Sequence, residues 1–414
     1  MALEELCGTT AGTTQWLPCL RNLWIQECPK LRLCPNLPCG LNFLHLASLD
    51  WAALPELWQG ENINSLSMSS ASLSLSNLTI FDCGRLVSLA EGLLVHPRPC
   101  KSLEELSIFD SAKLTHLPVG GFEEFTSLKE LTIDGCPELQ RGSASERFLL
   151  PPSLQLLSVY NCDALDPLPS ASEDLPFLHS VALHRCAIES LPSAEVLGRW
   201  TALNELSLEK CPDLESLGGL QALSSLKSLK VVECPKLVAA ASSSPSALVV
   251  EDPTSSSSSP CLILDKFDID DPLMLRTLPL RSISARDVKI QFCDEARSSA
   301  LEEWVLKNRT SLQKLSISNV SSRQFPVVNL QSLSFLEFLD IKGCNNLGSL
   351  PELPSSLEVV CLDDCSSELE ERCLRDSGPD WPKIQRIPEV KIGKYSKEQL
   401  AATSPAEHRR PQLV

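Results

Sequence analysis

The sequence predicts an α/β repeat solenoid, a stack of coils in which each coil adds one short strand to a shared parallel sheet. Three observations predict it. The pattern LxxLxLxxC recurs along the 414 residues. Its later cysteines, Cys136, Cys162, Cys186, Cys211 and Cys234, follow one another at intervals of 26, 24, 25 and 23 residues. The chain is 43% hydrophobic with only 5% aromatic residues, so leucine carries the apolar share. One branched side chain used repeatedly points to a repeated packing slot.

The copies run in order. Leu20, Leu23, Ile25 and Cys28 form the first clear one, and Leu41, Leu44, Leu46 and Leu49 the next. Then come Leu75, Leu78, Ile80, Cys83; Leu103, Leu106, Ile108, Ser111; Leu128, Leu131, Ile133, Cys136; and Leu154, Leu157, Val159, Cys162. The series continues through Leu178, Val181, Leu183, Cys186; Leu203, Leu206, Leu208, Cys211; and Leu226, Leu229, Val231, Cys234. After an interruption it returns as Val288, Ile290, Cys293; Leu312, Leu315, Ile317, Val320; Leu336, Leu339, Ile341, Cys344; and Leu357, Val360, Leu362, Cys365. A period between roughly 20 and 29 residues is that of a leucine-rich repeat. Alternation in LxL is that of a strand, with both apolar side chains inward and the residue between them outward. Many copies continue as CxxLxxLP, where proline holds the outer connection extended. The expected form is a leucine-rich-repeat horseshoe, with a parallel β-sheet on the concave face and mostly irregular convex loops.

The cysteine slot reads as structural. Ten of the 18 cysteines occupy it, and a thiol there serves as a small apolar group with a weak S–H donor. The six histidines show no HExxH spacing, and the pairs Cys34–Cys39 and Cys361–Cys365 lack a second half, so no metal site is expected. The adjacent acids Glu104–Glu105 and Asp363–Asp364 diverge on strand edges, and no nucleophile–base pair can be assembled. An enzyme is not expected, nor any cofactor.

Charge and processing signals narrow the class further. With 36 basic against 53 acidic residues the net charge is −17, which disfavours a nucleic-acid or anionic-membrane surface. The opening MALEELCGTT has no basic stretch followed by an apolar one, and no run approaches the ~20 apolar residues of a membrane span. Sequons occur at Asn77, Asn308 and Asn319, but Asn77 falls in a strand segment where a glycan fits poorly. These points place the chain in a reducing, cytoplasmic setting with free thiols.

The expected organisation has five parts. Residues 1–16 read as a partial repeat or uncapped N-terminal segment, as in a portion of a longer protein. Residues 17–238 form the first repeat block, 239–260 a Ser/Pro-rich flexible insertion, 261–390 a second block with a closing segment, and 391–414 a disordered tail.

The repeats written LxxLxLxxCPxLxxLP, with CPKL at Cys28 and Cys234, CPEL at Cys136 and CPDL at Cys211, resemble those of plant coiled-coil nucleotide-binding leucine-rich-repeat disease-resistance receptors. The ending CSSELEERCLRDSGPDWPKIQRIPEV, Cys365 to Val390, is similar to the segment that closes many such receptors. The phosphate-cradling GxxxxGK[ST] of that family is missing here, so the resemblance implies recognition and restraint without a nucleotide switch. Implied partners are a pathogen effector, a guarded host protein or the receptor's own nucleotide-binding domain. A substrate-recognition arm of a ubiquitin ligase is the alternative, although its CxxITD-like continuation and F-box helices are not evident.

Two outward columns suggest where a partner binds. The position after the second inward residue holds Gln26, Phe81, Phe109, Asp134, Tyr160, His184, Glu209 and Val232, and the next holds Glu27, Asp82, Asp110, Gly135, Asn161, Arg185, Lys210 and Glu233. Exposed aromatics with a polar surround are typical interface anchors. The candidate concave-face patch is therefore Phe81, Phe109, Tyr160 and His184, flanked by Asp82, Asp110, Arg185 and Lys210. The competing reading is that these rings pack on one another.

Overall fold

A computed structural model of the chain shows how the apolar columns are used. It describes residues 19–31, 40–54, 75–90, 94, 101–118, 121–139, 149–168, 174–243, 262–277, 280–327, 329–374, 378–393 and 395–396. The segments 1–16, Cys34–Cys39, 244–260 and 397–414 lie outside them. The described chain forms two compact units, Met1–Ser225 and Leu226–Val414.

The first unit holds eight strands, β1 (Asn22–Gln26), β2 (Phe43–Ala47), β3 (Asn77–Phe81), β4 (Glu105–Phe109), β5 (Glu130–Asp134), β6 (Leu156–Cys162), β7 (Ser180–Cys186) and β8 (Glu205–Glu209). Each pairs in parallel with the next in sequence order, and the LxL residues face each other in register: Leu78 with Leu106, Leu106 with Leu131, Leu131 with Leu157. Leu78, Ile80, Leu106, Ile108, Leu131 and Ile133 are 0–1% exposed. Burial of each such side chain stabilises by roughly 1.5–3 kcal/mol, and no single coil could achieve it alone. A second set of parallel bridges, Ser88 with His116 and Ser190 with Ser216, sits beside the LxxL turns.

Serine fastens one coil to the one before. Where Ser-Leu opens a copy, the hydroxyl donates to a carbonyl of the preceding coil: Ser102 to Leu75 at 2.8 Å, Ser127 to Lys101 at 2.7 Å, Ser153 to Leu128 at 2.8 Å and Ser225 to Thr201 at 2.6 Å. Each satisfies a backbone acceptor at strand entry, worth ~1 kcal/mol.

The second unit contains β9 (Ser228–Val232), β10 (Ile263–Ile269), β11 (Ser284–Ile290), β12 (Lys314–Ser318), β13 (Phe338–Lys342), β14 (Val359–Asp363) and β15 (Glu389–Ile392), parallel in sequence order, with β16 (Tyr395–Ser396) turning back antiparallel. The stretch 261–284, off-register in sequence, supplies β10: Leu264, Phe267 and Ile269 are buried where leucines would stand. Asp270 completes this coil. After β1 to β5 the next residue donates its N–H to the neighbouring strand's carbonyl, whereas Glu233 N–H donates to the Asp270 carboxylate at 2.6 Å.

The connections of this unit are more helical than expected. Helix α1 (Ala194–Leu197) belongs to the first unit; α2 (Pro235–Ser243), α3 (Glu295–Lys307), α4 (Ser367–Arg372) and α5 (Trp381–Ile384) belong to the second. Asp294 caps α3 by accepting from Arg297 N–H, and Ala300, Leu301, Trp304 and Val305 form its buried stripe. Helix α2 runs into the segment from 239, and β15 runs past 390 because Val390 and Ile392, each 1% exposed, alternate inward.

The closing segment owes its form to one buried carboxylate. Asp380, 1% exposed, accepts from Arg372 Nε at 2.8 Å, lies 3.0 Å from Lys383 Nζ, and accepts from Leu350 N–H at 3.3 Å. Gly378 lies so close to Arg372 that a Cβ would stand 2.1 Å from its carbonyl oxygen. The two cations hold the Asp380 carboxyl below its usual range against the opposing pull of burial. Replacing Asp380 by alanine leaves the buried Leu350 N–H without its acceptor and removes a partner from Arg372 and Lys383, and should cost roughly 2 kcal/mol in urea unfolding at neutral pH. Because the folded pKa is depressed, that contribution is present above about pH 4 and lost as pH falls through the folded value. The deficit of Asp380→Ala should therefore shrink in acid.

Candidate functional site

Every strand of the first unit ends in the same way. The residue just past the LxL ladder adopts the left-handed conformation, the first after β1 to β5 and β8 and the penultimate residue of β6 and β7, with φ of 54° at Glu27, 51° at Ser48, 49° at Asp82 and Asp110, 68° at Gly135, 52° at Asn161, 54° at Arg185 and 51° at Lys210. This turn lets the chain leave the sheet while the amide still reaches the next strand: Asp82 N–H donates to Phe109 O at 3.0 Å, Asp110 N–H to Asp134 O at 2.8 Å and Gly135 N–H to Tyr160 O at 3.1 Å. Asp, Asn, Ser and Gly suit such a position better than other residues.

The slot that follows explains the cysteines. The thiol donates back across the left-handed residue to the carbonyl two positions earlier, from Cys162 to Tyr160 at 3.2 Å and from Cys211 to Glu209 at 3.4 Å, and Ser111 does likewise to Phe109 at 3.3 Å. The cysteine carbonyl then accepts from the leucine three residues on, as Cys162 does from Leu165 at 3.0 Å. All thirteen described cysteines are free thiols. Burial pushes the Cys186 thiol up, the Cys293 thiol up to about 11 and the Cys373 thiol up to about 12; Cys162 is raised by its hydrogen bond with Cys136 and by burial. Among the described residues, no three His, Cys, Asp or Glu side chains are grouped to hold a metal.

These turns relocate half of the predicted patch. Asp82, Asp110, Arg185 and Lys210 are strand-exit residues rather than a flat outward column. Asp82 accepts from the Ser48 hydroxyl at 3.1 Å, and Arg185 pairs with Asp163 at 3.1 Å. The Asp110 carboxylate lies against Gly135, where a Cβ would stand 2.5 Å from its Oδ1.

The aromatic residues do lie on the outward side of the sheet. Register runs Phe81, Phe109, Asp134, Tyr160, His184, Glu209 across β3 to β8. Phe81 and Phe109 have ring centroids 6.4 Å apart, and Tyr160 and His184 6.3 Å apart. Asp134, which accepts from Asn161 Nδ2 at 2.8 Å, separates the two pairs. Phe81 is 41% exposed and the other three are half-buried, so rings touch and still reach solvent.

Two further columns complete this face, and the sequence reading passed over them. The central residues of LxL are Thr79, Ser107, Thr132, Ser158, Ala182 and Ser207. The residues just before the first inward leucine are Asn77, Glu105, Glu130, Leu156, Ser180 and Glu205. Asn77 Nδ2 donates to Glu105, and the Ser180 hydroxyl to Glu205 at 3.4 Å. The signal was present as the outward positions of ELxI. In the second unit the central column instead alternates charge, as Lys230, Asp268, Lys289, Ser316, Asp340, Cys361 and Lys391.

In-register parallel strands, inward leucine columns and a repeated strand exit define a leucine-rich-repeat protein. No protein-family model matches the chain. The Arabidopsis thaliana protein SUPPRESSOR OF npr1-1, CONSTITUTIVE 1 is 26% identical over 227 residues, covering 54% of this chain and 14% of that protein. The chain thus spans a small part of that relative's length. Among solved structures, a leucine-rich-repeat protein of Leptospira interrogans aligns at 16% identity and a TM-score of 0.39, over 91% of this chain and 96% of that one. An internalin of Listeria monocytogenes aligns at 14% identity and a TM-score of 0.38, over 91% and 88%. The fold assignment rests on the strand geometry itself. No helix among the described residues is long and apolar enough to cross a membrane.

Two outcomes test this geometry. Gly135→Ala should destabilise by ~1–3 kcal/mol in denaturant titration, from left-handed strain and contact with Asp110. Alkylation of the folded chain at pH 8.5 should label the exposed Cys19 well before Cys186 or Cys293, read by peptide mass spectrometry. A raised folded pKa also means that stability from Cys293 is intact below about pH 9 and lost as pH rises through about 11.

Proposed function

We propose that the chain is the non-catalytic protein-recognition domain of an intracellular plant immune receptor. In this role it binds a pathogen effector or a guarded host protein, or restrains a nucleotide-binding domain. The observation that carries the reading is the outward face of the first unit. Four half-exposed rings stand on a rigid strand ladder, beside polar columns, in a chain otherwise poor in aromatics. The CPxL repeats, the GPDWPKIQRIP closing segment and the similarity to one Arabidopsis protein support the plant receptor context. A parallel sheet with its apolar side buried leaves the three outward side chains of each strand free to vary without disturbing the frame, which suits recognition and not catalysis.

The alternative, a substrate-recognition arm of a ubiquitin ligase, uses the same face and differs in its companion. Co-expression with a separately encoded nucleotide-binding domain of a plant coiled-coil resistance receptor should give a copurifying complex. Phe109→Ala combined with Tyr160→Ala should weaken it about tenfold or more while leaving the unfolding midpoint nearly unchanged. Copurification with a ligase adaptor in place of that domain would overturn the assignment. Loss of stability without loss of binding would show the rings to be packing groups.

A further inference from the structure

The partner chemistry of the first unit can be taken further, and this step rests on the recognition reading above. We propose that the outward face of β3 to β8 receives an extended, basic polypeptide segment lying across the strands. The three outward columns contain Glu105, Glu130, Glu205, Asp134 and Glu209, and not one lysine or arginine. Of the cations bordering these columns, Arg185 pairs with Asp163 and Lys129 with Glu104. A face of this composition attracts a cationic partner and repels an acidic one.

The floor of the face fits a chain with unsatisfied backbone groups. Thr79, Ser107, Thr132, Ser158, Ala182 and Ser207 are all small, and they lie between the carboxylate column and the aromatic column. Four residue steps along a strand set those two columns ~13 Å apart, and neighbouring floor residues stand ~4.8 Å apart. Ser158 is 8% exposed, and its hydroxyl has no hydrogen-bond partner among the described residues, although it faces the outward side between Thr132 and Ala182. The hydroxyl opens to the solvent side of the sheet, where the backbone of an incoming chain can replace water as its partner. An extended chain presents amides and carbonyls to a row of hydroxyls, whereas a helix has already paired its own. Basic side chains then reach Glu105 and Glu130 on one flank, and apolar ones meet Phe81, Phe109 and Tyr160 on the other.

The test uses the full chain and a fluorescein-labelled decapeptide of alternating lysine and threonine, followed by anisotropy at low salt. The lysine peptide should bind, and its glutamate–threonine counterpart should not. Glu105→Lys with Glu130→Lys should weaken binding about tenfold or more. Glu123→Lys with Glu124→Lys, the same charge change in the exposed turn before β5, should leave it within about twofold. Ser158→Leu, which fills the floor from the solvent side, should weaken it about fivefold or more, with unchanged circular dichroism. Equal losses in the two charge-reversed doubles would reduce the effect to net charge and overturn the proposal, as would unaltered binding by Ser158→Leu. If the peptide fails while the copurifying complex still depends on Phe109 and Tyr160, the recognition reading stands and only the basic, extended occupant falls.

Discussion

The constraint on which the rest depends is the way each strand ends. Five residues of ladder are followed by one left-handed residue and then by a thiol that bonds back to the carbonyl two positions before it. The left-handed residue turns the chain out of the sheet without leaving an amide unpaired. The thiol fills the buried slot behind the corner and gives a second bond to a carbonyl that already accepts the preceding coil's amide, as Tyr160 O does from both Cys162 and Gly135. With this corner repeated, LxL segments arrive in register and the leucine columns close. Without it, the same leucines would have no fixed depth.

Asp270 and Asp380 show how the second unit keeps the ladder where the repeat breaks down. At Asp270 a carboxylate takes the place of a backbone carbonyl, and it is also bonded to Asp271 N–H at 2.8 Å. At Asp380 two cations and an amide converge on one carboxyl group. Both are buried acids with full sets of partners, which makes them structural, and both sit where leucine spacing alone does not specify the path.

Much of this was legible in the sequence. The LxL strands, the inward faces and the structural role of the cysteine slot follow from period and side-chain size. The strand exit was not read, although Ser48, Asp82, Asp110, Gly135, Asn161, Asn319, Gly343 and Asp364 are the residue types that tolerate positive φ. Arg185 and Lys210 obscured the pattern, since their charge suggested a surface role while their backbone shares the corner. Helix α3 was missed because EARSSALEEWVLK falls where the leucine register had lapsed, and its apolar stripe rests on Ala300, Leu301, Trp304 and Val305. The carboxylate and hydroxyl columns were in view and went unweighed beside the rings.

One arrangement bears on how such a surface changes through inheritance. Each coil lends a single side chain to every column, so the two ring pairs, Phe81 with Phe109 and Tyr160 with His184, are separated by the one coil that carries Asp134. Duplication or loss of a coil there would move the pairs apart or together by one strand spacing, ~4.8 Å, with every other contact in the stack preserved. Gain or loss of whole coils thus alters the spacing of the anchors in discrete steps, and point mutation alters their identity. The two kinds of variation act on the same face independently.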